Sequence, residues 1–204
     1  MKTVYIYLLD GMAEFEIGYI LQAFSMEKLL KNGSNDFEVK TVAFEKKTIL
    51  TLGGLKITPD YSLSEVDFDD AVALLLPGSS NWEDEKNKQI LKKAQKFLDE
   101  NILVGAICGA TLAIADCGVL NKFKHTSNSL EYLTNFSKEY KGQKYYINSK
   151  SVVDRNLITA STAGSLEWAA DILNSLKVYP SSKVKEFYDF YSTGDSKYYK
   201  QLMK

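Results

Sequence analysis

Cys108 is the residue of this chain whose position is best suited to nucleophilic chemistry. It lies in the stretch VGAICGAT (residues 104–111), between an apolar run typical of a buried strand and small residues that open a predicted helix. A tight strand-to-helix turn displays a nucleophile above the carboxyl end of a sheet and needs small neighbours. Backbone N–H groups and the helix dipole at the following helix start would also stabilise a thiolate. We therefore predict a reactive cysteine here, although a free cysteine is more often a small buried hydrophobe.

Two carboxylates follow the first predicted strand, at the same edge of the sheet as Cys108. They are Glu14 and Glu16 in DGMAEFEIG (residues 10–18). Acidic side chains are favoured at a helix start, so capping is a sufficient explanation for at least one of them. Glu16 lies between apolar neighbours, and it could instead hydrogen-bond the sulfur or act as a general acid.

A glycine-containing loop follows the most apolar strand. The run AVALLL leads into PGSSN (residues 77–81), which should open at the carboxyl edge where ligands bind in such sheets. The N–H group of Gly78 or Ser79, together with that of Gly109, could form an oxyanion hole. The PGS sequence alone is also compatible with an ordinary turn.

His125 is the only histidine of the chain and stands in KFKHTSN (residues 122–128). A lone loop histidine is more often a surface residue or a satisfied polar contact than a catalyst. Any Cys–His chemistry within the chain would nevertheless have to use it. One histidine and two separated cysteines argue against a conventional zinc site, so we predict no metal. We interpret the second cysteine, Cys117, as inert packing.

The elements that must position these residues alternate between strands and helices, which predicts an α/β fold with a mostly parallel sheet covered on both faces. Strands are predicted at 4–9, 37–43, 71–76, 102–107 and 157–160, and a hairpin at an edge at 48–50 and 55–57. Helices are predicted at 14–31, 83–99, 109–116, 127–136 and 165–176.

The composition changes after residue 180, where the chain becomes dense in tyrosine and lysine. Two short amphipathic helices broken near Gly194 fit this segment, with Phe187 among the residues that cover the core or a partner. We predict one α/β domain over residues 1–180. Residues 181–204 are predicted to be a helical extension packed on that domain or on a dimer partner.

Length and composition exclude several classes of protein. A chain of 204 residues, 45% hydrophobic and 25% charged, fits a single globular domain. A formal net charge of -1 gives no electrostatic footprint for nucleic acid. No window approaches the roughly 20 apolar residues needed to cross a bilayer, so we predict no membrane association. With two cysteines and no secretion signal, a cytoplasmic location is the simplest expectation.

Five motifs resemble, in order and spacing, the ThiJ/PfpI family of the class I glutamine-amidotransferase-like superfamily. They are DGMAEFE, LLLPGS, GAICGAT, KHTSN and ITASTAGSLEWAADIL, and the resemblance extends to about Leu176. It implies a flavodoxin-like three-layer α/β sandwich whose cysteine sits on a nucleophile elbow. It also implies a homodimer.

The resemblance further implies roles for the matched positions. Glu16 would contact the cysteine, and Ser79 and Gly109 would form the oxyanion pocket. His125 matches a histidine that is frequent in the family after the elbow helix. Thr162 lies in the STAG loop, which is near the site in this family.

Two departures from the family pattern narrow the expected activity. The PfpI-type peptidases carry histidine directly after the cysteine, where this chain has Gly109. True amidotransferases use a downstream His-Pro-Glu element, whereas His125 is followed by Thr126 and Ser127, so glutamine hydrolysis is not expected. The resemblance then implies cofactor-free glyoxalase or deglycase-like chemistry on small reactive carbonyls. A cysteine redox sensor of the stress response and an intracellular cysteine peptidase or amidase remain alternatives.

Overall fold

A seven-stranded, mostly parallel sheet forms the centre of the molecule in the computed structural model, which describes residues 1–30 and 36–202. Neighbouring strands are parallel except for the last pair. In spatial order the strands are β5 (Tyr61–Ser62), β2 (Phe37–Ala43), β1 (Lys2–Tyr7), β6 (Ala71–Leu76), β7 (Leu103–Ile107), β9 (Leu157–Ala160) and β8 (Ser151–Asp154).

The central strands are apolar because helices cover the sheet on both faces. In β6 every residue is apolar and five of the six are buried. The predicted bounds of β2, β6 and β9 are confirmed. The first strand begins and ends two residues earlier than predicted, because Leu8 and Leu9 belong to a buried connection after β1, where the N–H of Leu8 still bonds the carbonyl of Val42.

Seven α-helices lie in the described part of the chain. They are α1 (Gly18–Leu30), α2 (Lys88–Asp99), α3 (Gly109–Asp116), α4 (Leu130–Phe136), α5 (Ser165–Leu176), α6 (Ser181–Thr193) and α7 (Ser196–Leu202). Helices α1 and α5 pack together, whereas α2 contacts the end of α3 through a hydrogen bond from Gln95 to the carbonyl of Cys117. None of the helices in the described ranges is both long and apolar enough to cross a membrane.

Helix bounds agree with the predictions for α3 and α5 and differ at three other helix starts. Short 3-10 turns, Glu14–Ile17 and Glu85–Asn87, precede α1 and α2. Helix α4 starts three residues late because the Ser129 hydroxyl accepts the N–H of Tyr132 and caps it. The predicted end of the first helix, at residue 31, lies outside the described residues.

The predicted hairpin is present as β3 (Ile49–Leu50) and β4 (Lys56–Ile57), but it forms a separate two-stranded sheet. It contacts the loop after β1, where Gly11 donates to the carbonyl of Leu50. The edges of the main sheet are instead the short strands β5 and β8, which the sequence analysis did not identify.

The C-terminal segment forms two helices that break at Gly194, as predicted. Gly194 has a φ of +70°, a left-handed conformation that glycine adopts without strain, and it ends α6. Helix α6 packs against α5 and buries Val184 and Phe187. Residues 203–204 of the predicted extension lie outside the described residues.

Candidate active site

Cys108 occupies the turn between β7 and α3, with φ 56° and ψ −122°. This conformation costs a non-glycine residue about 1–3 kcal/mol and persists only where the surroundings fix it. Here its N–H bonds the carbonyl of Ala160, and its carbonyl accepts the N–H and hydroxyl of Thr111. The side chain is half-buried and the thiol is free. The strained turn therefore holds Sγ in one place at the carboxyl edge of the sheet.

Glu16, in the 3-10 turn after β1, is fully buried and directly contacts the cysteine. Its Oε2 accepts the N–H of Gly78 at 2.7 Å and its Oε1 accepts the hydroxyl of Thr162 at 2.9 Å. Burial raises the pKa of this carboxyl, and the hydrogen bonds from Gly78, Thr162 and Cys108 oppose that shift. Glu16 is therefore protonated more readily than an exposed glutamate.

The pKa of the Cys108 thiol is also raised, first by burial and then by the negative charge of Glu16. The prediction that the helix start favours the thiolate is wrong here, because burial and the charge of Glu16 outweigh the hydrogen bonds from Asn128 and Thr162 that lower the pKa. Glu16 and Cys108 repel each other when both are ionised, so the negative charge of Glu16 raises the pKa of the Cys108 thiol. The arrangement suits transfer of a proton from sulfur to carboxylate during attack.

Gly78 serves a different purpose from the one predicted. Its N–H is bonded to Glu16 and is not available as an oxyanion donor. A Cβ at this position would lie 2.6 Å from Cβ of Cys108 and 2.7 Å from Oε2 of Glu16. Glycine is required because the loop passes directly against the Cys–Glu pair.

Ser79 and Gly109 lie against each other, as an oxyanion pocket requires. A Cβ on Gly109 would collide with the carbonyl oxygen of Ser79 and would lie 3.0 Å from its nitrogen. The Ser79 hydroxyl is anchored on the carbonyl of Asp10. Within the described ranges, neither Ser79 nor Gly109 donates its backbone N–H to a protein acceptor. Both donors can therefore receive developing negative charge.

Thr162 and Asn128 complete the surroundings of the sulfur. Asn128, which the sequence analysis missed, donates from Nδ2 to Sγ of Cys108 at 3.4 Å. Its Oδ1 accepts the N–H of Thr162 at 2.9 Å. Thr162 thus holds Glu16 with its hydroxyl and Asn128 with its backbone. The only sequence signal for Asn128 was its place in the KHTSN loop, three residues beyond His125.

The DJ-1/PfpI family model matches residues 2–175 of this chain. The chain belongs to the DJ-1/PfpI family. A Bacillus subtilis relative named "uncharacterized protease YoaZ" is 36% identical over 202 residues, which are 99% of this chain and 96% of that protein. The "deglycase PfpI" of Pyrococcus furiosus is 29% identical over 142 residues, covering 69% of this chain and 83% of that protein.

The solved structures agree with this family assignment. A thiJ/pfpI family protein from Bacillus anthracis superposes with a TM-score of 0.93 and 36% identity, covering 100% of this chain and 97% of that one. The predicted family and the predicted flavodoxin-like α/β fold with an elbow cysteine are confirmed.

His125 is not brought to the sulfur of this DJ-1/PfpI protein. It is fully buried, and its Nδ1 must donate to the carbonyl of Phe123, which leaves Nε2 to accept the Tyr140 hydroxyl. Burial lowers the pKa of this imidazole. With both ring nitrogens occupied, the auxiliary acid–base role expected for His125 has no support in the geometry. Across the described ranges no cluster of three His, Cys, Asp or Glu residues could hold a metal ion.

The larger surface grooves do not mark the site. One of about 470 Å³ lies between α1 and α6, beside Tyr19 and Tyr191, and one of about 430 Å³ runs between α2 and α3, past Trp82, Leu112 and Cys117. Cys108 lines neither of them. The site is therefore identified by the chemistry of its side chains.

Proposed function

We propose that this DJ-1/PfpI protein is a cysteine-dependent enzyme that converts small reactive carbonyl compounds, as a glyoxalase or a deglycase does. The observation that carries the proposal is the contact of Cys108 with the buried Glu16, beside the two free N–H groups of Ser79 and Gly109. A relative named as a deglycase adds support. Nothing in this chemistry requires an organic cofactor.

The first step is addition of the sulfur to an aldehyde carbon. Glu16, as a carboxylate, takes the thiol proton while Sγ forms the C–S bond and the carbonyl π electrons move to oxygen. The N–H groups of Ser79 and Gly109 stabilise the oxyanion. Glu16 then returns the proton to that oxygen, which leaves a hemithioacetal on Cys108.

With a 1,2-dicarbonyl substrate, a proton shift completes the reaction. Glu16 removes the C–H proton of the hemithioacetal carbon, and reprotonation of the neighbouring carbon gives a thioester. Water hydrolyses the thioester, which releases a 2-hydroxy acid and restores the thiol. The aldehyde carbon is oxidised and the adjacent keto carbon is reduced, so no external oxidant or reductant is consumed.

Redox sensing is a second candidate, favoured by the same Cys–Glu contact. A peroxide would oxidise Cys108 to the sulfenic acid with release of water, and protonated Glu16 would donate a hydrogen bond to the new oxygen. The name of the Bacillus subtilis relative favours a peptidase, but no imidazole is hydrogen-bonded to the sulfur. We therefore rank peptide cleavage third.

The deciding assay follows methylglyoxal consumption and 2-hydroxy acid formation by wild type, Cys108→Ala and Cys117→Ala proteins. Turnover by wild type and Cys117→Ala, but not by Cys108→Ala, supports the proposal. Equal consumption by all three proteins contradicts it. A parallel peptide-library assay and mass spectrometry after mild peroxide test the other two candidates on the same samples.

A further inference from the structure

The amide of Asn128 has a fixed orientation at the site. Its Oδ1 accepts the backbone N–H of Thr162, and a backbone N–H can only donate. The Nδ2 group must therefore face Sγ of Cys108, 3.4 Å away. The contact is a directed N–H···S hydrogen bond, and rotating the amide by 180° would break both of these interactions.

Three side chains contact the sulfur, Glu16, Asn128 and Thr162, and Thr162 also holds the other two. Thr162 positions Asn128 through its backbone N–H and Glu16 through its hydroxyl. Asn128 is exposed at the rim of the site, whereas Glu16 is buried beneath it. The sulfur thus has a neutral donor on its outer side and an ionisable group on its inner side.

We propose that Asn128 binds and orients the Cys108 sulfur where a histidine would otherwise serve, and that proton transfer at the site falls to Glu16. An amide donates to a thiolate but cannot take its proton, whereas an imidazole can do both. His125, three residues earlier, cannot substitute because both of its nitrogens are bonded. The inference rests on Cys108 being the nucleophile of the proposed function.

The test measures the rate of Cys108 alkylation by iodoacetamide between pH 6 and 10, resolved by peptide mass spectrometry. The titratable groups that bear on the sulfur are Glu16, from the turn after β1, and Tyr132, on α4. Asn128→Ala should slow Cys108 alkylation at pH 7 about fivefold and move its midpoint to higher pH, because a donor to the thiolate is lost. Asn128→Asp, which adds a negative charge beside the sulfur, should move the midpoint of Cys108 alkylation to still higher pH.

A gain-of-function variant sharpens the test. Asn128→His places an imidazole beside the sulfur, so a new step should enter the alkylation profile near the ordinary histidine pKa of about 6.5. Such a step in wild type, or no change of midpoint in Asn128→Ala and Asn128→Asp, would overturn the inference.

Matched controls separate a local effect from a loss of structure. Asn121 also bridges two backbone groups, the carbonyl of Glu139 and the N–H of Lys141, but it does not contact the sulfur. Asn121→Ala should leave Cys108 alkylation unchanged, and Cys117 in each sample reports on general exposure. Because alkylation needs no substrate, shifted profiles without carbonyl turnover would refute only the proposed function. Turnover with unshifted profiles would refute only the role of Asn128.

Discussion

The two cysteines of the chain stand at opposite ends of the same helix, α3, and their environments share more than their sequence contexts suggest. Both are half-buried free thiols, and the pKa of each is raised by burial and by a carboxylate, Glu16 for Cys108 and Asp116 for Cys117. Burial beside a negative charge is therefore not what distinguishes a reactive cysteine in this molecule.

The difference lies in the backbone and in the donors. Cys108 has a strained φ of 56° and accepts a hydrogen bond from Asn128, whereas Cys117 has an ordinary φ of −84°. Glu16 is hydrogen-bonded to the Cys108 sulfur, and its negative charge disfavours the thiolate. Asp116 acts on Cys117 only through its charge. A carboxylate at hydrogen-bonding distance can take the proton that attack releases. A reactive cysteine in this molecule thus needs a proton acceptor in contact with its sulfur. It also needs nearby N–H donors that no protein group has paired.

Replacing each cysteine in turn should give the largest contrast. Cys108→Ala should reduce carbonyl turnover by at least about 10³-fold, because the bond-forming atom is lost. Cys117→Ala should leave kcat/KM within about twofold of wild type. Steady-state kinetics on both variants checks this, and a comparable loss in the two variants would remove the distinction between them.

The two carboxylates after β1, Glu16 and Glu14, should likewise differ in their effect on activity. Glu16→Gln removes the proton acceptor and should reduce kcat/KM by about 10²–10⁴-fold. Glu14→Gln is the matched control, because the Glu14 carboxylate accepts hydrogen bonds from its own N–H, from the N–H of Gly53 and from Thr51, which lower its pKa, and not from Cys108. Its activity should match wild type. Equal losses would show that both carboxylates act by stabilising the helix start.

Two glycines test the donor arrangement. Gly109→Ala forces the Ser79 backbone away, because the new Cβ would collide with it, and should cost about 10²-fold in kcat through the oxyanion pocket. Gly18→Ala, at the start of α1, meets nothing within 4 Å and should leave kcat unchanged. Circular dichroism confirms folding of both variants. Full activity in Gly109→Ala would refute the oxyanion role of these N–H groups.

The contrast between the cysteines was predictable from the sequence, but the identities of the sulfur's partners were only partly so. The small residues around Cys108 and the apolar runs of β6 and β7 are strong local patterns. They are sufficient to predict the strand-to-helix turn that carries the cysteine. The edge strands β5 and β8 are too short for a periodic pattern, and tertiary pairing decides them. The sequence does not show which N–H group Glu16 binds. It also does not show that Asn128, and not His125, reaches the sulfur, because both depend on the directions of side chains in loops.

The smallest expected effect is a change in the pH dependence of alkylation that is confined to one cysteine in each variant. The negative charge of Glu16 raises the pKa of Cys108, so Glu16→Gln should move the Cys108 midpoint to lower pH and leave Cys117 unchanged. Asp116→Asn should lower the Cys117 midpoint alone. Peptide-resolved iodoacetamide kinetics measures both thiols in one experiment. An upward shift of Cys108 in Glu16→Gln would show that Glu16 already holds the proton in wild type, and that the sulfur is a thiolate before substrate arrives.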